Sequence, residues 1–428
     1  YDRGSVTESS SMTTDQWLKQ MVLMGIGICM ALRLHRSARI HDIEFLSSVL
    51  STIVVQWLKA AAQWSSNQWL KHMMQIYVRL YGIKPSLFEQ FKPQDQVVDE
   101  YTFTKFLGRD EAKRQLHDHW SSWVTEQDIK KLASFGLNHL RIPVGYWAFE
   151  KKSTEPFIMD SFNYLLKAVR WAKKYGMRVI VDLHGAPGSQ NGYHHSGKHG
   201  PIEWQTGDNI HRTLNVIKNM TETFSRPEFR NTVTIIGVLN EPKPLVKNQF
   251  NEYFKDAYKI IREKNSDILI LYDATFLQVD DSIKFLKLSE FKKVALDINN
   301  YYAFTCNFVT MSINEQLVNV CSNYYNISST SQDVLRFVGE WSLSTTHGSS
   351  CKYSSNTCQF KDDYRNWTSE HKIFLKQYAS AQMDAYEAGI GWTFWNFKTE
   401  CSTLWNFMLG VEQGWMPLTY KQRTYDCS

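Results

Sequence analysis

Two glutamates stand where a buried, apolar strand pattern stops. Thr234–Pro242 reads T-I-I-G-V-L-N-E-P, a β-branched run closed by Asn240, Glu241 and Pro242. Phe337–Trp341 reads F-V-G-E-W and closes on Glu340. A carboxylate has no reason to end a buried strand unless it faces a pocket, because burying an unpaired charge is costly. The plainer reading of the first segment is a surface turn, since Asn, Glu and Pro are common where strands end. Two carboxylates facing one cavity are the minimum for cleaving a glycosidic bond through an oxocarbenium-like transition state. One, its pKa raised by burial or by the neighbouring charge, protonates the leaving oxygen. The other attacks the anomeric carbon.

The elements that must hold such a pair follow from the hydrophobic pattern. Strands are expected at His139–Val144, Arg178–His184, from Thr234, and at Ile268–Ala274, Val294–Tyr302, Phe337–Trp341 and Gly391–Phe397. Helices are expected at Glu111–His117, Thr125–Phe135, Asp160–Tyr175, His211–Phe224, Phe250–Glu263, Ser282–Leu288 and Ser369–Ala388. Strict alternation implies parallel strands joined by right-handed crossovers. Open doubly wound sheets alternate too, but their nucleotide sites use Gly-rich loops, and no G-x-G-x-x-G or Walker motif occurs. The expected fold is therefore α/β, a (β/α)8 TIM barrel. Its eighth strand should precede His139, and Ile76–Leu80 (I-Y-V-R-L) is the one candidate, so the first strand is poorly specified.

In a barrel the C-terminal strand ends face one cavity. Read that way, the rim carries Arg141, His184, Asn240, Glu241, Tyr301, Glu340 and Trp395. Arg141 is expected to hold the nucleophile ionised by Coulomb attraction. Asn240 can hydrogen-bond a sugar 2-hydroxyl, and Trp395 can form a floor for the ring. Each has a plainer reading: His184 and Trp395 as core residues, Arg141 as a rim ion pair. Their conjunction favours the site.

The composition agrees. Fifteen Trp and 21 Tyr in 428 residues exceed what core packing usually demands, and flat aromatic faces suit sugar rings. The net charge of +5 is small, and Lys and Arg are scattered, which argues against nucleic acid as a partner. Six of the seven cysteines lie in the last third, no Cys-x-x-Cys pair exists, and sequons occur at Asn219, Asn326 and Asn366. That pattern suggests an oxidising, secretory setting. A metal site from His194, His195 and His199 is the rival reading of that loop, weakened by the lack of a nearby carboxylate or thiol in sequence.

H-L-R-I-P-V-G-Y-W-A-F (139–149), D-L-H-G-A-P-G-S-Q-N-G-Y (182–193), L-N-E-P (239–242), V-G-E-W-S (338–342) and W-T-F-W-N-F-K-T-E (392–400) stand in this chain. With P-S-L-F-E (85–89) and V-V-D-E-Y-T-F (97–103), they resemble the fungal exo-β-1,3-glucanases of glycoside hydrolase family 5. The resemblance covers about residues 85–428. It implies a retaining barrel enzyme without metal or cofactor, with Glu241 as acid/base and Glu340 as nucleophile. It implies that Arg141, His184, Asn240, Tyr301 and Trp395 hold the non-reducing sugar. It further implies that Tyr193, Phe304 and Trp405 line the entrance and grip the next glucose, and that Cys321 pairs with Cys427. The expected partner is a β-glucan polysaccharide or oligosaccharide, the expected state a monomer, and the expected location secreted or in the cell wall.

The chain departs from that pattern in three places. Leu80 stands where an acidic residue is expected after the first strand. Asn299 replaces a histidine near the nucleophile, and His195 replaces a sugar-binding asparagine. These departures keep two alternatives open: a glucan-binding wall protein with impaired catalysis, and a hydrolase of β-1,6-glucan or a glucosyl lipid. Residues 1–75 do not match and read as a helical extension, leaving 76–428 as the hydrolase domain. Met21–Leu34 is too short to span a bilayer, and Ile43–Leu58 is interrupted by polar residues, so a membrane anchor is not the favoured reading.

Overall fold

A computed structural model of the protein describes residues 74–77 and 83–427, except 278, 288–290, 305–307, 309–310, 329–333, 346–362 and 401. The chain divides into two units, Tyr1–Ser66 and Asn67–Ser428, and every described residue lies in the second. Residues 1–73, with both apolar segments, and Leu80 lie outside the described residues. Among the described residues no helix is long and apolar enough to cross a membrane.

Eight described strands form one closed barrel in sequence order, every neighbouring pair parallel. They are β1 (Met74–Tyr77), β2 (His139–Gly145), β3 (Arg178–Gly185), β4 (Val233–Gly237), β5 (Leu269–Asp273), β6 (Val294–Asn299), β7 (Leu335–Trp341) and β8 (Trp392–Phe394). The helices between β1 and β2 are α1 (Glu100–Leu107), α2 (Arg109–Trp123) and α3 (Glu126–Ser134). Each later strand is followed by a helix: α4 (Ser161–Lys174), α5 (Asn209–Phe224), α6 (Lys247–Lys264), α7 (Val279–Leu286), α8 (Ile313–Ser328), α9 (Ser369–Glu387) and α10 (Phe407–Glu412).

Several elements differ from the sequence reading, among them α1 and α10, which were not expected. The first strand is described over Met74–Tyr77, where it pairs on both sides, Tyr77 with Arg141 on β2 and Met74 with Trp392 on β8, while residues 78–80 of the expected Ile76–Leu80 lie outside the described residues. Closure selects that segment whatever its own pattern, an instance of context overriding strand propensity. Helix α8 was not expected, since its sequence is rich in Asn and polar residues that favour turns over helix interiors. It is tied down by a disulfide from Cys321 to Cys427, 106 residues apart, which is the pairing the resemblance implied. Finally, β4 stops at Gly237, so Val238 and Leu239 are buried without being strand residues.

The barrel interior has two layers of opposite character. At the lower end Ile180, Ile235, Leu269, Leu271, Ala295 and Phe337 form an apolar plug. Above it the strands carry charge: Arg141 on β2, Asp182 on β3, Asp273 on β5 and Asp297 on β6, all buried. The larger apolar cluster lies around these strands, where Leu140, Val179, Val181, Ile236 and Val338 meet residues of the helices. The rim above the charged layer is the place to look for chemistry.

Candidate active site

Arg141 anchors the charged layer. Its Nη2 lies 3.2 Å from Asp182 Oδ2 and its Nη1 3.1 Å from Asp297 Oδ2, with all three side chains essentially unexposed. The same Nη2 donates to Asn240 Oδ1 at 2.9 Å. Two glycines make this arrangement possible. A Cβ at Gly237 would lie 2.3 Å from Asp182 Oδ1, and one at Gly339 would lie 2.0 Å from both Arg141 Nη1 and Asp297 Oδ1. Strand residues that look merely small are therefore the space the ion cluster occupies. Arg141 forms ion pairs with two aspartates, and its charge also lowers the pKa of both Glu241 and Glu340, in keeping with the expected Coulomb attraction on the nucleophile.

His184 stands one step higher on β3. Its Nδ1 lies 2.9 Å from Asp182 Oδ2, so Nδ1–H donates to the carboxylate. That leaves Nε2 as an acceptor, 3.4 Å from Asn240 Nδ2. The ring stacks on Trp395, with centroids 5.5 Å apart and planes 16° off parallel. Asn240 is thus oriented through both ends of its amide. The main chain around it is held by Gln190 Nε2, which donates to the carbonyls of His184 at 2.8 Å and Asn240 at 2.9 Å.

Glu241 adopts a left-handed backbone with φ +46°, uncommon for a residue with a side chain. Asp273 Oδ2 accepts its N–H at 2.7 Å and Asn191 Nδ2 donates to its carbonyl at 3.1 Å, which holds that conformation. Strain secured in this way is characteristic of functional positions. Its side chain is held on both oxygens: Asn299 Nδ2 donates to Oε1 at 2.7 Å, and His195 Nε2 lies 3.3 Å from Oε2. Glu340 Oε2 accepts from Tyr301 Oη at 2.7 Å. The Cα of Asn299 is in register with Glu340, while its amide reaches Glu241. Asn299 thus stands beside Glu340 on the neighbouring strand, as expected, and its amide bonds Glu241; the charge of Glu241 acts on Glu340, so the two carboxylates lie within electrostatic reach of each other.

Burial drives the electrostatics. It pushes Glu241 up to about 7, against the Asn299 bond and the Arg141 charge. Burial, then the charge of Glu241, hold Glu340 well above the carboxylate range, against Arg141 and the Tyr301 bond. Asp273 rises to about 7 for the same two reasons, burial and Glu241. Tyr301 is held well above its usual value by burial and then by the Glu340 charge, so it stays a neutral donor. Two raised, mutually repelling carboxylates disfavour the state in which both are ionised. Such a pair can deliver a proton and a nucleophile to one bond.

The rim aromatics fall into two walls. Phe304, 60% exposed, and Trp405 pack with Tyr301, at centroid distances of 5.7 and 5.0 Å from its ring. Tyr193 joins a different group. It stacks on His195 at 5.5 Å and lies 5.9 Å from Phe276, with Lys243 Nζ 5.7 Å from its ring centre. Sequence reasoning missed Phe276, an isolated aromatic just past β5. It also missed Asp182 and Asp273 as site residues, although each is a lone acid inside an apolar strand, which was the available signal.

Comparisons with known proteins give the family of the chain. The profile of Cellulase (glycosyl hydrolase family 5) matches residues 105–400. The chain is 33% identical over 368 residues to "Glucan 1,3-beta-glucosidase 2" of Wickerhamomyces anomalus, covering 80% of this chain and 86% of that protein. It is 34% identical over 366 residues to "Glucan 1,3-beta-glucosidase" of Yarrowia lipolytica, with the same coverage. It is 35% identical over 355 residues to "Glucan 1,3-beta-glucosidase 1" of Schizosaccharomyces pombe, again with that coverage. Among solved structures, a rutinosidase from Aspergillus niger superposes with a TM-score of 0.63 at 18% identity, over 78% of this chain and 93% of that one. That likeness speaks to the fold.

Proposed function

The chain belongs to glycosyl hydrolase family 5, and we propose that within it this enzyme is a retaining exo-β-1,3-glucosidase that removes glucose from non-reducing glucan ends. The observation that carries the reading is the pair of buried carboxylates, Glu241 held by Asn299 and Glu340 by Tyr301, with the charge of Glu241 acting on Glu340. The names of the relatives supply the glucan and its linkage.

In the proposed reaction a Glu340 oxygen attacks the anomeric carbon as its bond to the leaving glucan oxygen breaks. Glu241 gives its proton to that oxygen. Water then attacks the same carbon, Glu241 takes the proton of the water, and the bond to Glu340 breaks. Two inversions leave the glucose in its starting β configuration. Burial and the charge of Glu241 raise Glu340, and the Arg141 charge and the Tyr301 bond oppose them in favour of the ionised form that the first step needs. Burial, opposed only in part, favours the protonated Glu241. His184, Asn240 and Trp395 form a rigid hydrogen-bonded and stacked set suited to holding the terminal sugar. Phe304 and Trp405 are suited to gripping the next unit. The Cys321–Cys427 disulfide and the exposed sequon residues Asn219 and Asn366 support a secreted or wall-associated setting.

The test is glucose release from laminarin by the full chain and by Glu340→Gln. The variant is expected to fold and bind glucan but lose at least about 10⁴ in rate, about 5.5 kcal/mol. Glucan binding without release by either protein would replace this reading with that of a binding protein. Faster release from β-1,6-glucan or a glucosyl lipid than from laminarin would change the substrate.

A further inference from the structure

The partners of Glu241 determine which of its oxygens can carry the proton. Oε1 accepts an amide hydrogen from Asn299 at 2.7 Å. An amide N–H cannot take up a proton, so that oxygen stays an acceptor. The acidic hydrogen therefore sits on Oε2, and the atom facing Oε2 at 3.3 Å is His195 Nε2. That ring is held in place. It stacks on Tyr193 at 5.5 Å and meets His184 edge-on at 5.7 Å. Its loop is pinned at the next residues: Ser196 Oγ donates to Tyr193 O at 2.7 Å, Gly197 O accepts from Tyr101 N at 3.1 Å, and His199 N donates to Asp99 at 2.6 Å.

We propose that His195 is a positioning residue that shares the proton of Glu241, so that the acid of this enzyme is the His195–Glu241 pair. The proposal rests on the reading of Glu241 as the acid/base. When the imidazole holds the shared proton, it returns it to Glu241 Oε2 as the leaving oxygen takes the hydrogen from that atom. In the second step the proton of the attacking water goes to Oε2, and from there Nε2 can accept it. One proton enters and one leaves per turnover.

The other groups around the pair are known. His184, His194 and Tyr193 face the imidazole, and Lys243 lies beyond Tyr193. Arg141, Asp182 and Asp297 act on Glu241 by charge, Asp273 accepts its N–H, and Glu340 interacts with it by charge. Against that background His195 adds a cationic or N–H donor contact, which favours the ionised carboxyl. Removing it lets Glu241 keep its proton to higher pH.

The experiment compares wild type, His195→Leu, His195→Gln and Glu241→Gln, reading kcat/KM against pH on laminarin and on 2,4-dinitrophenyl β-glucoside. The aryl leaving group departs without a proton, so the acid is idle there. For His195→Leu the alkaline limb should rise by about one pH unit, the low end of what a charge at this range produces. Its laminarin kcat/KM should fall about tenfold, a fraction of what a positioned acid contributes, while the aryl glucoside changes less than about twofold. His195→Gln, which keeps a donor, should restore part of both effects and covers a folding failure of the Leu variant. An unmoved alkaline limb, or equal losses on both substrates through KM, would overturn the proposal and make His195 a sugar contact. If Glu241→Gln kept wild-type laminarin activity, the acid/base reading itself would fall instead.

Discussion

The lower and upper layers of the barrel interior solve the same geometric problem with different physics. Below, Ile180, Ile235, Leu269, Leu271, Ala295 and Phe337 fill the space with apolar volume. Above, Arg141 is clasped by Asp182 and Asp297, and Gly237 and Gly339 withhold the side chains that would collide with them. An apolar plug asks for volume and tolerates swaps that conserve it. A buried ion cluster asks for particular atoms at particular places, because a charge left without its partner is expensive. The contrast explains why the rim can be rigid: the groups that touch Glu241, Asn240 and His184 are themselves locked from beneath.

Substitutions can break that comparison, and they are ordered here by expected effect on activity. Gly339→Ala puts a methyl group on Arg141 and Asp297. It should cost about 3–5 kcal/mol in urea unfolding, as breaking a buried pair does, and remove measurable turnover. Asn299→Ala removes the donor on Glu241 Oε1. A hydrogen bond to a charged group is worth about 1.5–3 kcal/mol, so kcat/KM should fall about 10- to 100-fold. That bond lowers the pKa of Glu241, so the alkaline limb should move up as well. Tyr301→Phe keeps the ring and removes the hydroxyl on Glu340. The bond lowers the pKa of Glu340, whose ionised form is the nucleophile. Losing it raises that pKa, so the acid limb should move to higher pH, with a rate loss of about tenfold. Phe337→Ala belongs to the plug. It should cost about 3–5 kcal/mol of stability, yet leave kcat/KM of the folded enzyme within about twofold. If its activity fell as far as that of Asn299→Ala, the separation of the two layers would be wrong.

The same contrast governs what the sequence revealed. Glu241, Glu340, Arg141, His184, Asn240, Tyr301 and Trp395 were legible because polar groups interrupt apolar strands at one end, and the barrel gathers those ends. Asp182 and Asp273 were not singled out, because a single acid within a strand pattern does not declare its partner. Asp182 meets Arg141 and Asp273 meets the Glu241 main chain, and in each case the partner lies far away in sequence. Asn299 was read beside Glu340, and its bond to Glu241 was missed because a side chain's reach across strands leaves no mark in sequence. Helix α8 was hidden by its asparagines, and the start of β1 at Met74 is set by its two neighbours rather than by its own residues. Phe276, which packs on Tyr193, was not singled out because an isolated aromatic just past a strand carries no pattern of its own.

The account stands on Glu340 forming the covalent link. The direct measurement is to incubate the full chain with 2-deoxy-2-fluoro-β-D-glucosyl fluoride, digest it and locate the added mass. The fluorine slows release of the intermediate and the fluoride leaves without an acid. The account predicts one fluoroglucosyl unit on the peptide carrying Glu340, with activity lost in step with labelling. An active enzyme that turns over laminarin yet takes the label on Glu241, or takes none, would contradict it.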